Sequence, residues 1–316
     1  MLAGFQATLS SVLSLFIIMA VGFFLRKKKL VPEDAGTVLS RLETFLLLPA
    51  LNFNTMLTRC TVETLKSDFR LLLYSLIIVF AAVALSYLLA GLFEKKDAYM
   101  KNIYRYALVF SNYGYMGYAI VPLILGQEML QKYILFTLPM TVVLYMWGVN
   151  MLIPKKENRK NPLLNLINPS FVAILLGMLC ALLGLGKYVP SFLTTTLSSL
   201  GNCLGPMAML LTGFAIGGID VMSVIGNKKV YAATFLRLIV LPAVLISVLY
   251  LLKADGEVMF FTLVAYGSSF GMNTVVFPSA YGGDVVPGSA MAVISNVFVV
   301  LTLPMMFGLL TMVLGG

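Results

Sequence analysis

The chain has 316 residues, 60% of them hydrophobic and 11% charged, with a formal net charge of +9 and no histidine. A soluble core of this size cannot hide so much apolar surface, so the sequence predicts an all-α integral membrane protein whose solvent is a lipid bilayer. The missing histidines exclude a Ser–His–Asp triad, a histidine proton relay and a histidine metal site, and Cys60, Cys180 and Cys203 form neither a disulfide framework nor a metal-ligand set.

Apolar windows of about 20 residues predict ten spans. The first, near 5–25, has no positive residue before it and Arg26, Lys27, Lys28 and Lys29 after it, so it reads as a span and not as a cleaved signal. The others fall near 36–57, 69–93, 104–126, 132–153, 169–186, 194–219, 230–252, 258–282 and 288–314. Loops after spans 1, 3, 5 and 7 carry fourteen Lys and Arg, among them Lys95, Lys156 and Lys229. The even-numbered loops carry six: Arg59, Lys66, Arg70, Lys132, Lys187 and Lys253. This bias puts the odd loops in the cytoplasm and both termini outside a cell membrane, plasma or inner. Scattered in short loops without aromatic interleaving, the basic residues orient spans and suggest no nucleic-acid partner.

Two charged residues lie about two turns into spans. Glu43 in span 2 and Arg237 in span 8 are candidates for ion coupling or gating. Both are placed near a cytoplasmic end, where snorkelling, or for Glu43 a pair with Arg41, serves as well. Leu144 in span 5 reads as a lipid-facing position.

The chain repeats itself. Pro32 answers Pro190 at an offset of 158, Pro49 answers Pro206 at 157, Ser111 of "SNYG" answers Ser268 of "SSFG" at 157, and "TLPM" at 137–140 recurs at 302–305. Residues 1–153 form one five-helix repeat and 169–316 the second, joined by a cytoplasmic linker at 154–168. An odd number of spans inverts the second copy, and inverted repeats mark secondary transporters.

"SNYGYMGYAIVPLILG" (111–126) and "SSFGMNTVVFPSAYGGD" (268–284) place glycines, polar residues and a proline inside spans 4 and 9. Unpaired backbone groups are costly in hydrocarbon, so such spans are broken where they face protein or a wet cavity. Each break leaves N–H groups at one new helix end, which attract anions, and carbonyls at the other, which attract cations. The expected site comprises Ser111, Asn112, Gly114, Ser268, Ser269, Asn273 and Thr274, with Pro122 and Pro278 as the helix-breaking residues. A proline-kinked helix with glycines for close packing is the competing reading.

These two stretches, with "GPMAMLLTGFAIGG", "FLRLIVLP" and the second "TLPM", resemble the auxin efflux carrier family of bacteria, fungi and plants. The resemblance implies ten helices in two inverted five-helix repeats, helices 4 and 9 broken and crossing at the substrate site. It also implies a scaffold of helices 1, 2, 6 and 7, a mobile unit of helices 3–5 and 8–10, elevator motion and a homodimer. Family members carry small organic anions such as auxin, malate or malonate, and the family's span-4 asparagine matches Asn112. Ala119 and Asn273 stand where the family often has prolines, and Ser75 and Ser86 are what span 3 offers where plant carriers have an acid.

The expected function is secondary active transport of a small organic anion, a mono- or dicarboxylate, without enzymatic activity and without a cofactor. A sodium ion near Asn112 and Asn273, as in the related bile-acid symporters, is the alternative coupling scheme, and proton coupling through Glu43 or uniport stay open. A channel and a membrane-embedded enzyme are the readings from other classes; the enzyme lacks an acid–base pair or metal set in the spans.

Overall fold

Helix starts in this chain are written locally. The Thr61 hydroxyl accepts from the Thr64 amide while Thr64 answers the Thr61 amide, Asp97 accepts from the amides of Tyr99 and Met100, and Asn168 caps Phe171 ahead of Pro169. The structure, a computed structural model, describes residues 2–154, 161–219 and 226–315. Lys155, Lys156, Arg159, Lys160, Asp220 and Gly316 lie outside the described residues, as does part of the expected linker.

In chain order the helices are α1 (Leu2–Lys27), α2 (Ala35–Leu42), α3 (Leu48–Arg59), α4 (Val62–Phe93), α5 (Ala98–Val109) and α6 (Tyr115–Leu125). Then come α7 (Met129–Val143), α8 (Val149–Leu152), α9 (Pro162–Asn165), α10 (Pro169–Leu182), α11 (Ser191–Asn202) and α12 (Leu204–Gly217). The last are α13 (Lys228–Phe235), α14 (Leu241–Leu251), α15 (Gly256–Gly267), α16 (Asn273–Ala280) and α17 (Val286–Val313). Single π turns at Glu43–Leu47, Leu144–Gly148 and Leu236–Val240 join α2 to α3, α7 to α8 and α13 to α14. Two of them precede Pro49 and Pro242, whose missing N–H a widened turn absorbs.

The architecture is all-helical, with no strand among the described residues. Five helical stretches are long and apolar enough to cross a bilayer: Val62–Phe93, Met129–Leu152, Ser191–Gly217, Lys228–Leu251 and Val286–Val313. Tyr115–Leu125, Pro169–Leu182 and Gly256–Gly267 are apolar but shorter. The expected spans near 104–126 and 258–282 are each split, into α5 with α6 and α15 with α16.

α1 runs against α12 at backbone contact. A Cβ on Gly213 would stand 2.1 Å from the Met19 carbonyl oxygen, and one on Gly22 2.5 Å from that of Leu210, so only glycine permits this approach. α3 lies against α10 and α11, α4 against α5 and α7, and α15 against α14 and α17. Between α7 and α15 the buried rings of Tyr133, Phe136 and Phe261 meet with centroids 5.5 Å (Tyr133–Phe261) and 5.8 Å (Phe136–Phe261) apart. Outward faces such as Leu88 and Leu92 of α4 stay exposed, as lipid-facing side chains do.

Ion pairs tie helix ends. Arg70 meets Asp255 at 2.7 Å and Lys132 meets Glu257 at 2.9 Å, while Lys229 meets Glu94 at 3.3 Å. Glu94 also gathers the loop that follows it: the amides of Lys96 and Asp97, then Lys229, hold its carboxyl down at about 2.

Candidate functional site

α5 stops because Phe110 turns extended (φ −111°, ψ 124°), and α15 stops where Ser268 does the same (φ −73°, ψ 159°). The two extended segments that follow cross antiparallel, Ser111 opposite Phe270, and the Asn112 amide donates to the Ser269 carbonyl at 2.8 Å. Gly271 permits the crossing, since a Cβ there would lie 3.0 Å from the Ser111 carbonyl oxygen. Side chains answer further backbone groups: Ser295 accepts from the Phe270 amide at 3.0 Å, and Ser268 donates to the Val264 carbonyl at 2.6 Å. The freed backbone is thus answered in part by the other break and in part by the side chains of Ser295 and Ser268, which makes the breaks tolerable away from water.

Helix resumes at Tyr115 and at Asn273, and a cavity of about 90 Å³ opens beside these two new N-termini. Ser111, Asn112, Tyr113, Gly114 and Tyr115 line it from the first break and Gly271, Met272 and Asn273 from the second. Leu48, Tyr118, Thr141, Leu144, Tyr145 and Ser170 complete the wall. Polar wall groups are held in place: Asn273 donates to Tyr106 Oη at 2.9 Å, Tyr113 Oη pairs with Thr141 Oγ1 at 3.0 Å, and Ser170 accepts from Asn52 at 2.7 Å.

Of the residues singled out from sequence, Ser111, Asn112, Gly114 and Asn273 come together on this cavity. Ser268, Ser269 and Thr274 are fully buried and do not line it; Ser269 donates to Met116 Sδ at 3.7 Å and Thr274 to the Gly271 carbonyl at 2.9 Å. Pro122 and Pro278 are a correction. Both sit inside the helices that follow the breaks, while the helix is interrupted at 110–114 and 268–272 by extended backbone that crosses its partner. Leu144 is a second correction: it is buried and faces the cavity, not lipid. Ser75 and Ser86 are fully buried away from it.

Glu43 is fully buried with neither carboxylate oxygen hydrogen-bonded, while Arg41 is exposed, so the expected snorkelling or mutual pair is absent here. Its neighbour Thr44 lies 3.4 Å from the Tyr115 hydroxyl on the cavity wall.

Arg237 is the largest correction. It is completely buried and reaches no lipid surface. Its Nη1 donates to the Leu108 carbonyl at 3.0 Å and its Nη2 to the Ala265 carbonyl at 3.4 Å, in the last turns of α5 and α15. The Tyr266 ring lies 5.1 Å from its Cζ, in cation–π range. Leu108 and Ala265 are separated by 157 residues, the same offset that relates Ser111 to Ser268.

Sequence reasoning also missed Tyr115, Tyr145, Thr141 and Ser170. A tyrosine or threonine in an apolar run carries no sign of its function until the partner of its hydroxyl is known.

An all-helical chain with several bilayer-length apolar helices, interrupted twice around one small polar cavity, has the build of a membrane transporter. A family model described as membrane transport protein matches residues 7–307, and the chain belongs to this family, the auxin efflux carriers. An uncharacterized transporter of Methanocaldococcus jannaschii is 22% identical over 309 residues, covering 96% of either chain. The protein is therefore a multi-pass membrane transport protein.

Proposed function

We propose that the protein is a secondary transporter that moves a small organic anion, a mono- or dicarboxylate, across the cell membrane by alternating access. The observation that carries this reading is the cavity at the crossing, where the N-terminal ends of α6 and α16 meet with the amide side chains of Asn112 and Asn273. Each helix N-terminus presents roughly half a positive charge and free N–H donors. Neutral amides hold a carboxylate by hydrogen bonds without a salt bridge and so allow its release. The volume of about 90 Å³ lies well below the roughly 300–1,000 Å³ of pockets for drug-sized ligands, which favours a substrate of few non-hydrogen atoms over an indole-bearing one.

Ten spans in two inverted repeats form the frame of this reading, and helix neighbours support it. α1 on α12 pairs span 1 with span 7, and α3 on α10 pairs span 2 with span 6. Those are the pairs that an exchange of halves would interconvert. The proposed mobile unit of helices 3–5 and 8–10 is supported by the two ion pairs that fasten α15 to the ends of α4 and α7. Elevator motion past a scaffold of helices 1, 2, 6 and 7, which form a homodimer, completes the proposal.

The test is counterflow in proteoliposomes loaded with a panel of carboxylates. Saturable exchange of one of them is expected. Single-channel current without saturation would replace the carrier with a channel, and a chemically altered product would replace it with an enzyme.

A further inference from the structure

The crossing has two electrical faces. The N-termini of α6 and α16 face the cavity and together amount to roughly one positive charge, while the C-termini of α5 and α15 amount to roughly one negative charge. Left alone, the two would cancel. The carbonyl ends are not alone, because the guanidinium of Arg237 spans them with one Nη on Leu108 and the other on Ala265. It is completely buried in a π turn directly before Pro242. The fork of a guanidinium suits two convergent carbonyls, and its charge is permanent.

We infer that Arg237 is a resident cation of the transport site, occupying the carbonyl ends of both broken helices where a coupling sodium would otherwise bind, so that the protein takes up its anion without sodium. With Arg237 in place the crossing carries about one net positive charge before any solute enters. A monoanion neutralises it with no accompanying ion. Without that arginine the dipoles cancel, and the anion would have to enter with a cation. The inference rests on the carrier reading for what the charge is used for, but its occupancy of the carbonyls can be tested without transport. Arg237 acts here as a positioning residue, since it does not line the cavity.

The test is the melting temperature of purified protein in detergent, with sodium exchanged for choline at constant ionic strength. Wild type is expected to melt at the same temperature in both. Arg237→Met removes the charge and keeps an unbranched apolar stem; it is expected to melt lower in choline and to regain stability saturably with sodium, which now takes the Leu108 carbonyl and the lone pair of the Ala265 carbonyl that Ser111 Oγ leaves open. Arg237→Lys keeps a charge and should stay indifferent to sodium. In proteoliposomes, counterflow of a monoanionic carboxylate such as pyruvate by Arg237→Met should fall about tenfold or more in choline and recover in part with sodium. Saturable stabilisation of wild type by sodium would overturn the inference. So would an Arg237→Met variant destabilised equally in both salts, because a merely structural arginine predicts that result. If Arg237→Met does not fold, wild type and Arg237→Lys carry the test, and sodium stabilisation of either overturns it. Absence of carboxylate counterflow in wild type would defeat the carrier reading and leave the melting result to be read by itself.

Discussion

Asn112 lies three residues before the helix start at Tyr115 and Asn273 is itself a helix start, and at the offset of 157 the mate of Asn112 is Ser269, whose carbonyl its amide contacts, so the two asparagines are not symmetry mates. What they share is the cavity. Alanine at Asn273 removes its donation to Tyr106, and alanine at either position removes an amide that the proposed carboxylate would use in a largely desolvated place, worth about 1–3 kcal/mol, or roughly 5- to 150-fold in apparent affinity. Half-saturation for the proposed carboxylate substrate is expected to rise by that factor at matched expression. Leu88→Ala, on the 74% exposed Leu88, serves as control and should leave it unchanged. Gly114→Ala makes a finer probe, because nothing lies within 4 Å of the Cβ it would add. Folding should be normal, and uptake of the longer carboxylates should drop more than that of the shorter ones. Amides in apolar runs stand out in a sequence because hydrocarbon penalises them. Arg237 stands out equally, yet its place was misread: hydropathy gives depth along a span and says nothing of carbonyls contributed by Leu108 and Ala265 from two other helices.

Breaks in α-helices were legible from glycine and polar residues inside apolar windows, but their position was not. Proline signals a kink, yet the interruptions fall earlier, where Ser111 and Phe270 face each other across the crossing. Such a pairing joins segments more than 150 residues apart, and no local propensity encodes it. Pro122→Ala and Pro278→Ala are therefore expected to leave both breaks and the half-saturation constant near wild type, measured beside Asn112→Ala. A large loss of affinity in either would mean that the prolines set the break after all. The π turns were equally hidden, since a widened turn has no sequence signature. Each touches the site: Leu48 follows the first, Leu144 and Tyr145 belong to the second and Arg237 to the third. The α1–α12 contact gives an element-scale stability test. Gly213→Ala forces a methyl onto the Met19 carbonyl oxygen, and overpacking of this kind costs about 1–3 kcal/mol. Its melting temperature should fall, whereas Gly36→Ala, whose Cβ meets nothing nearer than 3.9 Å, should melt as wild type.

At the scale of the whole molecule, the proposed orientation rests on loop charge, and the long-range ion pairs offer an independent argument for which loops between the proposed spans share a face. Lys229 reaches Glu94, joining the loops after spans 7 and 3, while Arg70 and Lys132 reach Asp255 and Glu257, joining those after spans 2, 4 and 8. Odd loops meet odd and even meet even. That is what alternate crossing of a bilayer requires, although each pair by itself is worth little to stability. The strongest cluster of linker charges, around Lys156, lies outside the described residues, so the exposed Lys95 and Lys187 are the better reporters. Three proposed spans separate them, two of which are the ones hardest to assign from sequence: the broken fourth and the short sixth. Cysteines at these positions, in a chain whose Cys60, Cys180 and Cys203 are replaced by serine or alanine, are expected to react from opposite sides with a membrane-impermeant maleimide. Lys95→Cys should label from the cytoplasm and Lys187→Cys from outside, and Lys229→Cys should follow Lys95→Cys. If Lys95→Cys and Lys187→Cys label from the same side, an even number of crossings lies between them. One of spans 4 to 6 would then fail to traverse the bilayer, and the inverted arrangement that brings the two breaks together would have to be abandoned.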